Sequence, residues 1–311
     1  MTYTPDIDYL LDMLRWQRPE GSIAQTVFCE LYLEPVFGNP DEFGNYFTTI
    51  LNDDGSFPEV AFMAHHDTVH FNGGFQTVET TLDTAYTPEG DCLGADCTTG
   101  LWIILEMIEA EVPGIYIVHG GEEVGCLGSS GMVLSKQSWM EYAKAAISFD
   151  RYGTKSVVTH QMSYRTCSDE FADSLIDILD LGMEKDKHGV FTDSNEYRDD
   201  IPECTNLSVG YEKQHTKYET QDLDFLRVLV PALIEADWSK LVIKRDPKVV
   251  NFERADKGTT QEVIDLIEKG DIEDLIYDHA AEVADYLHYI GYTAAELKKE
   301  LGLNLEDDDN V

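Results

Sequence analysis

The chain has 311 residues, with 60 acidic side chains against 22 basic ones and a net charge of −38. That balance argues against nucleic-acid backbones and anionic membrane surfaces as partners, because both require positive charge. Hydrophobic residues make up 43% of the chain, enough for a sizeable core, so the charge reads as a highly solvated surface suited to a salty cytoplasm.

In chain order, Ile7, Leu10, Leu11 and Leu14 follow helical spacing up to Arg18-Pro19. A second helix is expected from Ser22, with Gln25 as its capping-box partner. Short apolar runs then recur at 47–51, 60–64, 114–118, 145–149, 157–159 and 207–210, flanked by Gly, Asp or polar residues. Buried strands have this form. Longer helical patterns separate them at 98–110, 135–144, 169–181 and 223–238. Alternating strands and helices predict an α/β fold, a three-layer α/β/α arrangement around a mostly parallel mixed central sheet.

The character changes near residue 250. From residue 256 onward there are sixteen acidic and four basic residues. Helices are expected at 261–269, 272–290 and 294–301, so residues 251–305 read as an acidic helical extension and 306–311 as a disordered tail. No run approaches the ~18 apolar residues of a spanning helix. The N-terminal stretch lacks a basic start and a small-residue cleavage site, and the expected location is cytoplasmic. Cys29, Cys92, Cys97, Cys126, Cys167 and Cys204 show no CxxC spacing and are expected to be reduced thiols.

Candidate site residues follow the strands, where ligands of open α/β sheets bind. His65-His66-Asp67 follows the run 60–64, and Leu93-Gly94-Ala95-Asp96-Cys97 opens the helix at 98. Gly120-Gly121-Glu122-Glu123 follows 114–118, Asp150 follows 145–149, and His215 follows 207–210. Alone, each has a plain alternative: a packed histidine, a solvated acidic pair, a helix cap. Together, His, Asp, Glu, Asp and His at matching topological positions form an oxygen and nitrogen donor set that zinc accepts.

The signatures AHHDTV, LGADCTTG, GGEEVG, SFDRYG and QHTKYET, in this order over about residues 5–240, resemble the co-catalytic zinc exopeptidases. These are aminopeptidases, carboxypeptidases and related deacylases. The resemblance implies that residues 1–250 form a zinc-peptidase catalytic domain binding two divalent ions, expected to be Zn2+. Asp96 would bridge them, His65 and Asp150 would complete one site, and Glu123 and His215 the other. Glu122 would be the general base acting on a bound hydroxide. Residues two apart on an extended chain face one side, so Asp67 can meet His65 and accept its other ring N–H, which places Asp67 among the catalytic residues. His66 then points away as a hydrogen-bonded, non-ligand histidine. The pattern departs at Cys97, where the family often has a second acidic residue; a buried inert thiol is expected, with altered metal preference or oxidation sensitivity as the alternative. Residues 190–195 also resemble a segment near the site, which would place Asp193 beside it, with a surface turn as the alternative.

Only 64 residues separate Asp150 from His215, and 30 separate His65 from Asp96. Neither gap accommodates an inserted domain of ~100 residues, which points to the compact, lid-less aminopeptidase branch. A deacylase or carboxypeptidase is the near alternative, with Arg151, Arg165 or Arg198 to meet a substrate carboxylate. A non-catalytic binding or structural protein on the same scaffold is the alternative from another class. The expected partners are a peptide or acylated amino-acid substrate, no nucleic acid and no membrane, with homo-oligomerisation open.

Overall fold

The computed structural model describes residues 3–249 apart from residue 89. The helical extension expected over 251–305 and the tail 306–311 lie outside the described residues.

Seven strands form the central sheet: β1 (Tyr46–Ile50), β2 (Val60–His65), β3 (Gly114–His119), β4 (Ala145–Arg151), β5 (Ser156–Val158), β6 (Glu184–Asp186) and β7 (Glu203–Ser208). Their order is β6-β5-β7-β4-β2-β3-β1. The inner strands β7, β4, β2 and β3 run parallel, and β1 closes one edge antiparallel to β3. The sheet is therefore mixed and mostly parallel, as the sequence predicts.

Both faces of the inner strands are covered, which explains their unbroken apolar runs. Alternate residues feed two separate cores. Phe62, Ala64, Tyr116, Val118, Ile147 and Phe149 join one core, while Ala61, Met63, Ile115, Ile117 and Ala146 join the other. The first lies beneath helices α1 (Ile7–Met13), α2 (Ile23–Tyr32), α3 (Ala95–Glu109), α5 (Asp169–Leu179) and α6 (Leu223–Glu235). The second is covered by α4 (Leu127–Leu134), a short turn of helix at Ser138–Glu141 and the side chain of Tyr197.

Local differences from the sequence reading have physical causes. The helix expected over 135–144 is displaced: α4 occupies Leu127–Leu134, followed by only the 3-10 turn. Its sequence, LGSSGMVL, has poor helix propensity, but Gly131 lets α4 lie against the ring of Phe43, where a Cβ would come within 2.4 Å. Strand β7 begins at Glu203, earlier than the apolar run at 207. Glu203 is buried yet satisfied, accepting hydrogen bonds from the Ser168 N–H and hydroxyl and from the N–H groups of Lys244 and Arg245. The capping box at α2 is half formed. Ser22 Oγ accepts the Gln25 N–H, but the Gln25 side chain turns to the Gly21 N–H and to His66. Among the described residues no helix is long and apolar enough to cross a membrane.

Phe62 stacks on Phe149 at 5.8 Å between ring centroids and meets Trp238 edge-on at 4.8 Å. Removing a fully buried ring at the sheet centre leaves a cavity, so Phe62→Ala is expected to cost about 3–5 kcal/mol. A urea melt checks this as a lower midpoint.

Candidate metal centre

Strand β2 lies between β3 and β4. The chain passes from β2 to β3 on one side and then crosses to β4 on the other, so the strand order reverses here. The β2–β4 ladder ends at Met63 opposite Ser148. Beyond that pair the two strands part, and the residues of the sequence constellation fill the opening. His65 ends β2, Asp150 lies near the end of β4, and Glu122 and Glu123 follow β3. Asp96 stands at the entry to α3, with non-helical φ −78° and ψ 109°. His215 is carried by a small antiparallel sheet, in the loop between Tyr211–Glu212 and Thr220–Asp222.

Two glycines shape the Asp96 segment. Gly94 has φ +72°, and a Cβ there would come within 2.6 Å of the His70 ring. Gly100 brings α3 so near β4 that a Cβ would lie 2.0 Å from the Phe149 carbonyl oxygen.

The Asp96 carboxylate faces two ways. Its Oδ1 is 3.2 Å from His65 Nε2, and its Oδ2 is 3.2 Å from His215 Nε2. Asp150 Oδ1 lies 3.6 Å from His65 Nε2, and Glu123 Oε1 lies 3.1 Å from His215 Nε2. Glu122 Oε2 is farther, 3.9 Å from His65 Nε2. All five metal-ligand candidates of the sequence reading thus converge, with Glu122 beside them.

Other groups fix their orientation. His65 Nδ1 is 3.0 Å from the main-chain carbonyl of Asp67 and 3.3 Å from its Oδ1. The ring N–H therefore meets the backbone oxygen first, with the carboxylate close by. The Asp67 carboxylate itself accepts the N–H of Glu122 at 3.1 Å and of Glu123 at 3.0 Å. Asp150 Oδ2 accepts the Thr192 hydroxyl at 2.7 Å, and Oδ1 the Tyr211 hydroxyl at 3.2 Å. Where the β4–β7 register shifts, the Asn206 amide takes over for the ladder: it accepts the Asp150 N–H and donates to its carbonyl.

The sequence reading missed several of these residues. Glu219 is buried and accepts the N–H groups of Gly94 and Asp96, one on each oxygen. Its position inside the QHTKYET signature was the available signal. Arg18 is fully buried, donates to the His66 carbonyl and the Thr98 hydroxyl, and lies 4.0 Å over the Phe28 ring. Burial pulls its guanidinium down to about 10. No sequence pattern marks it.

The remaining histidines are held by other partners, while Asp193 lies near enough to His65 and Asp150 to feel their charges. His66 accepts from Gln25 and donates to the Gly44 carbonyl, and His70 is held between Thr68 and the Cys92 carbonyl. Asp193 is buried on the one-turn helix Asp193–Glu196, and its Oδ1 has no hydrogen-bond partner among the described residues. Burial pushes its carboxyl up to about 8. Arg151 pairs with Asp186 at 2.8 Å, Arg165 with Asp169 at 3.0 Å, and Arg198 lies over the Tyr164 ring at 4.9 Å.

The electrostatics favour a cation. Burial and the Asp96 charge push Glu123 up to about 7 and raise Asp150 as well. Burial also raises Glu122 well above the carboxylate range, against the pull of His65. Asp96 is lowered despite burial, by its hydrogen bonds to His215 and His65. Asp67 is held at about 2 despite burial, through His65 and the Glu123 N–H. Carboxylates crowded in a dry crevice repel one another, and divalent cations would neutralise them. The donors suit such ions. An oxygen or nitrogen atom from each of Asp96, Glu123 and His215 lies within 4.8 Å of the others, and the same holds for His65, Glu122 and Glu123.

Comparison with known proteins agrees with this geometry. The model of peptidase family M28 matches residues 45–203, just over half of the chain. The matched span contains His65, Asp67, Asp96, Glu122, Glu123 and Asp150, while His215 lies beyond it. No curated protein matches the chain. Among solved structures, a tripeptidase from Staphylococcus aureus is 15% identical, with a TM-score of 0.59 over 74% of this chain and 96% of its own. The aminopeptidase PepT from Bacillus cereus is 13% identical, with a TM-score of 0.57 over 73% and 96%. The TET1 peptidase of Pyrococcus horikoshii is 15% identical, with a TM-score of 0.56 over 74% and 98%. At these identities the structures share the fold. From the family match over its strands and site loops, the chain belongs to peptidase family M28.

Proposed function

We propose that this metal-dependent peptidase is an aminopeptidase with two Zn2+ ions. His65 and Asp150 would hold one ion, Glu123 and His215 the other, and Asp96 would contribute to both. The observation that carries the reading is the Asp96 carboxylate, with one oxygen turned to His65 and the other to His215, each at 3.2 Å. Bound there, such ions polarise the scissile carbonyl and lower the pKa of a water toward ~7.

The protein groups do the rest. The Asp67 carbonyl accepts a hydrogen bond from His65 Nδ1–H, which leaves the Nε2 lone pair facing Asp96 and Asp150. Asp67 also holds the main chain of Glu122 and Glu123 in place. With bound cations neutralising its neighbours, Glu122 would be ionised and would act as the general base. It would take a proton from the attacking water as the water oxygen bonds the carbonyl carbon, and return it to the leaving nitrogen as the C–N bond breaks.

A carboxypeptidase would need a free cation to meet the substrate carboxylate. Arg151, Arg165 and Arg198 are all engaged with neighbours in the protein. A substrate with a free amine also suits the acidic surface. We take residues 1–250 as the catalytic domain and 251–305 as an extension of separate role. The six cysteines are buried and unpaired, which suits a reducing cytoplasm. The TET1 peptidase assembles into a tetrahedron or an octahedral shell, and a homo-oligomer is proposed here by analogy.

Elemental analysis is expected to find two zinc-class ions per chain. Peptides with a free N-terminus should be cleaved and their N-acetylated counterparts left intact. Cleavage of blocked substrates alone would assign the enzyme to the deacylases or carboxypeptidases. Glu122→Gln is expected to keep its metal while kcat falls by about 10²–10⁴-fold; an unchanged kcat overturns the role of Glu122. Asp67→Ala should weaken metal affinity by roughly 10–100-fold, read by competition with a chelator. Unaltered affinity would show that the Asp67 carboxylate does not orient the centre.

A further inference from the structure

The two halves of the centre differ in their donors. Asp96, Glu123 and His215 offer only oxygen and nitrogen. The half at His65 and Asp150 also contains a sulfur: a His65 nitrogen, Cys97 Sγ and an Asp150 oxygen all lie within 4.8 Å of one another. His65 and Cys97 are fully buried, and the Asp150 side chain is 8% exposed. Among the described residues no other cysteine joins such a group, and all six are described.

Cys97 sits where β2 and β4 part. Its thiol donates to the Phe149 carbonyl at 3.1 Å, one residue before Asp150, while its backbone follows Asp96. The sulfur is thus anchored beside one ligand candidate of the β4 strand and attached to the residue that spans both halves. Zinc-class bonds to nitrogen, oxygen and sulfur run about 2.0–2.3 Å, so three donors this close can share one ion after small side-chain shifts.

We propose that Cys97 is a sulfur ligand for a thiophilic divalent cation, exemplified by Cd2+, held together with His65 and Asp150. The inference rests on the proposed function, which places a metal between these strands. On binding, the S–H bond breaks and the sulfur keeps the electron pair. The proton leaves to solvent, and the thiolate forms its bond to the cation in place of the hydrogen bond to Phe149. Soft ions favour thiolate, and hard ions favour carboxylate. The His65 half therefore prefers soft ions over the Glu123–His215 half, and Cd2+ displaces the resident ion there first.

The test is a Cd2+ titration of the metal-free full-length protein, followed by ultraviolet absorption. A thiolate-to-cadmium charge-transfer band is expected to grow and saturate at one ion per chain. It should be lost in Cys97→Ser and in Cys97→Ala, with circular dichroism confirming that each is folded. Cys126→Ser should retain the band, because Cys126 Sγ faces Glu122 Oε1 at 3.7 Å and lies in none of the donor groups. Zn2+ competition should show the Cd2+ preference reduced when Cys97 is replaced. Cd2+ binding by the wild type without the band overturns the sulfur ligand alone, leaving the two-metal reading in place. A band that persists without Cys97 does the same. A wild type that binds no divalent ion overturns both.

Discussion

The Asp67 carboxylate joins two strand ends that the sheet itself leaves apart. It lies 3.3 Å from the His65 ring at the end of β2 and receives the N–H groups of Glu122 and Glu123 beyond β3. Those contacts hold it ionised at about 2 although it is almost fully buried. The Asp67 carbonyl fixes the histidine tautomer, and the carboxylate beside it sets the path of the acidic loop. The candidate base and two candidate ligands thus share one anchor, and their spacing does not depend on loop packing alone.

The opposing force is repulsion. Asp96, Glu122, Glu123 and Asp150 crowd into a crevice from which water is largely excluded, and burial raises three of the four. The fold supports this arrangement through neutral donors and backbone amides. Thr192 and Tyr211 hold Asp150, the Asn206 amide replaces a missing stretch of ladder, and Glu219 fixes the Asp96 segment by its N–H groups. Arg18 is a cation buried behind the site segments. It binds the His66 carbonyl and the Thr98 hydroxyl rather than any carboxylate of the crevice. The acidic crevice therefore keeps its charge available for cations from outside.

The sheet order explains why the crevice exists. Because β2 has β3 on one side and β4 on the other, the connections leave in opposite directions and a crevice opens between the strand ends. Cys97 fills the floor of the opening through its hydrogen bond to Phe149, and Gly100 allows α3 to come close enough for that contact.

The amino-acid sequence alone determined the α/β class, the inner strands and the identity of the converging residues. Buried parallel strands leave unbroken apolar runs, and the site residues stand directly after them. It marked only the end of β7, because Glu203, Thr205, Asn206 and Ser208 are polar groups satisfied by partners distant in the chain. Nor did it place α4, where Gly131 makes room for the Phe43 ring and Gly128 for Asn45 and the Gly120 main chain. Tertiary structure decided the supporting network as well. Arg18, Thr192, Asn206, Tyr211 and Glu219 act through hydrogen bonds across tens of residues, and local periodicity carries no trace of such pairings. Their roles follow from where the strands part, which only the assembled sheet defines.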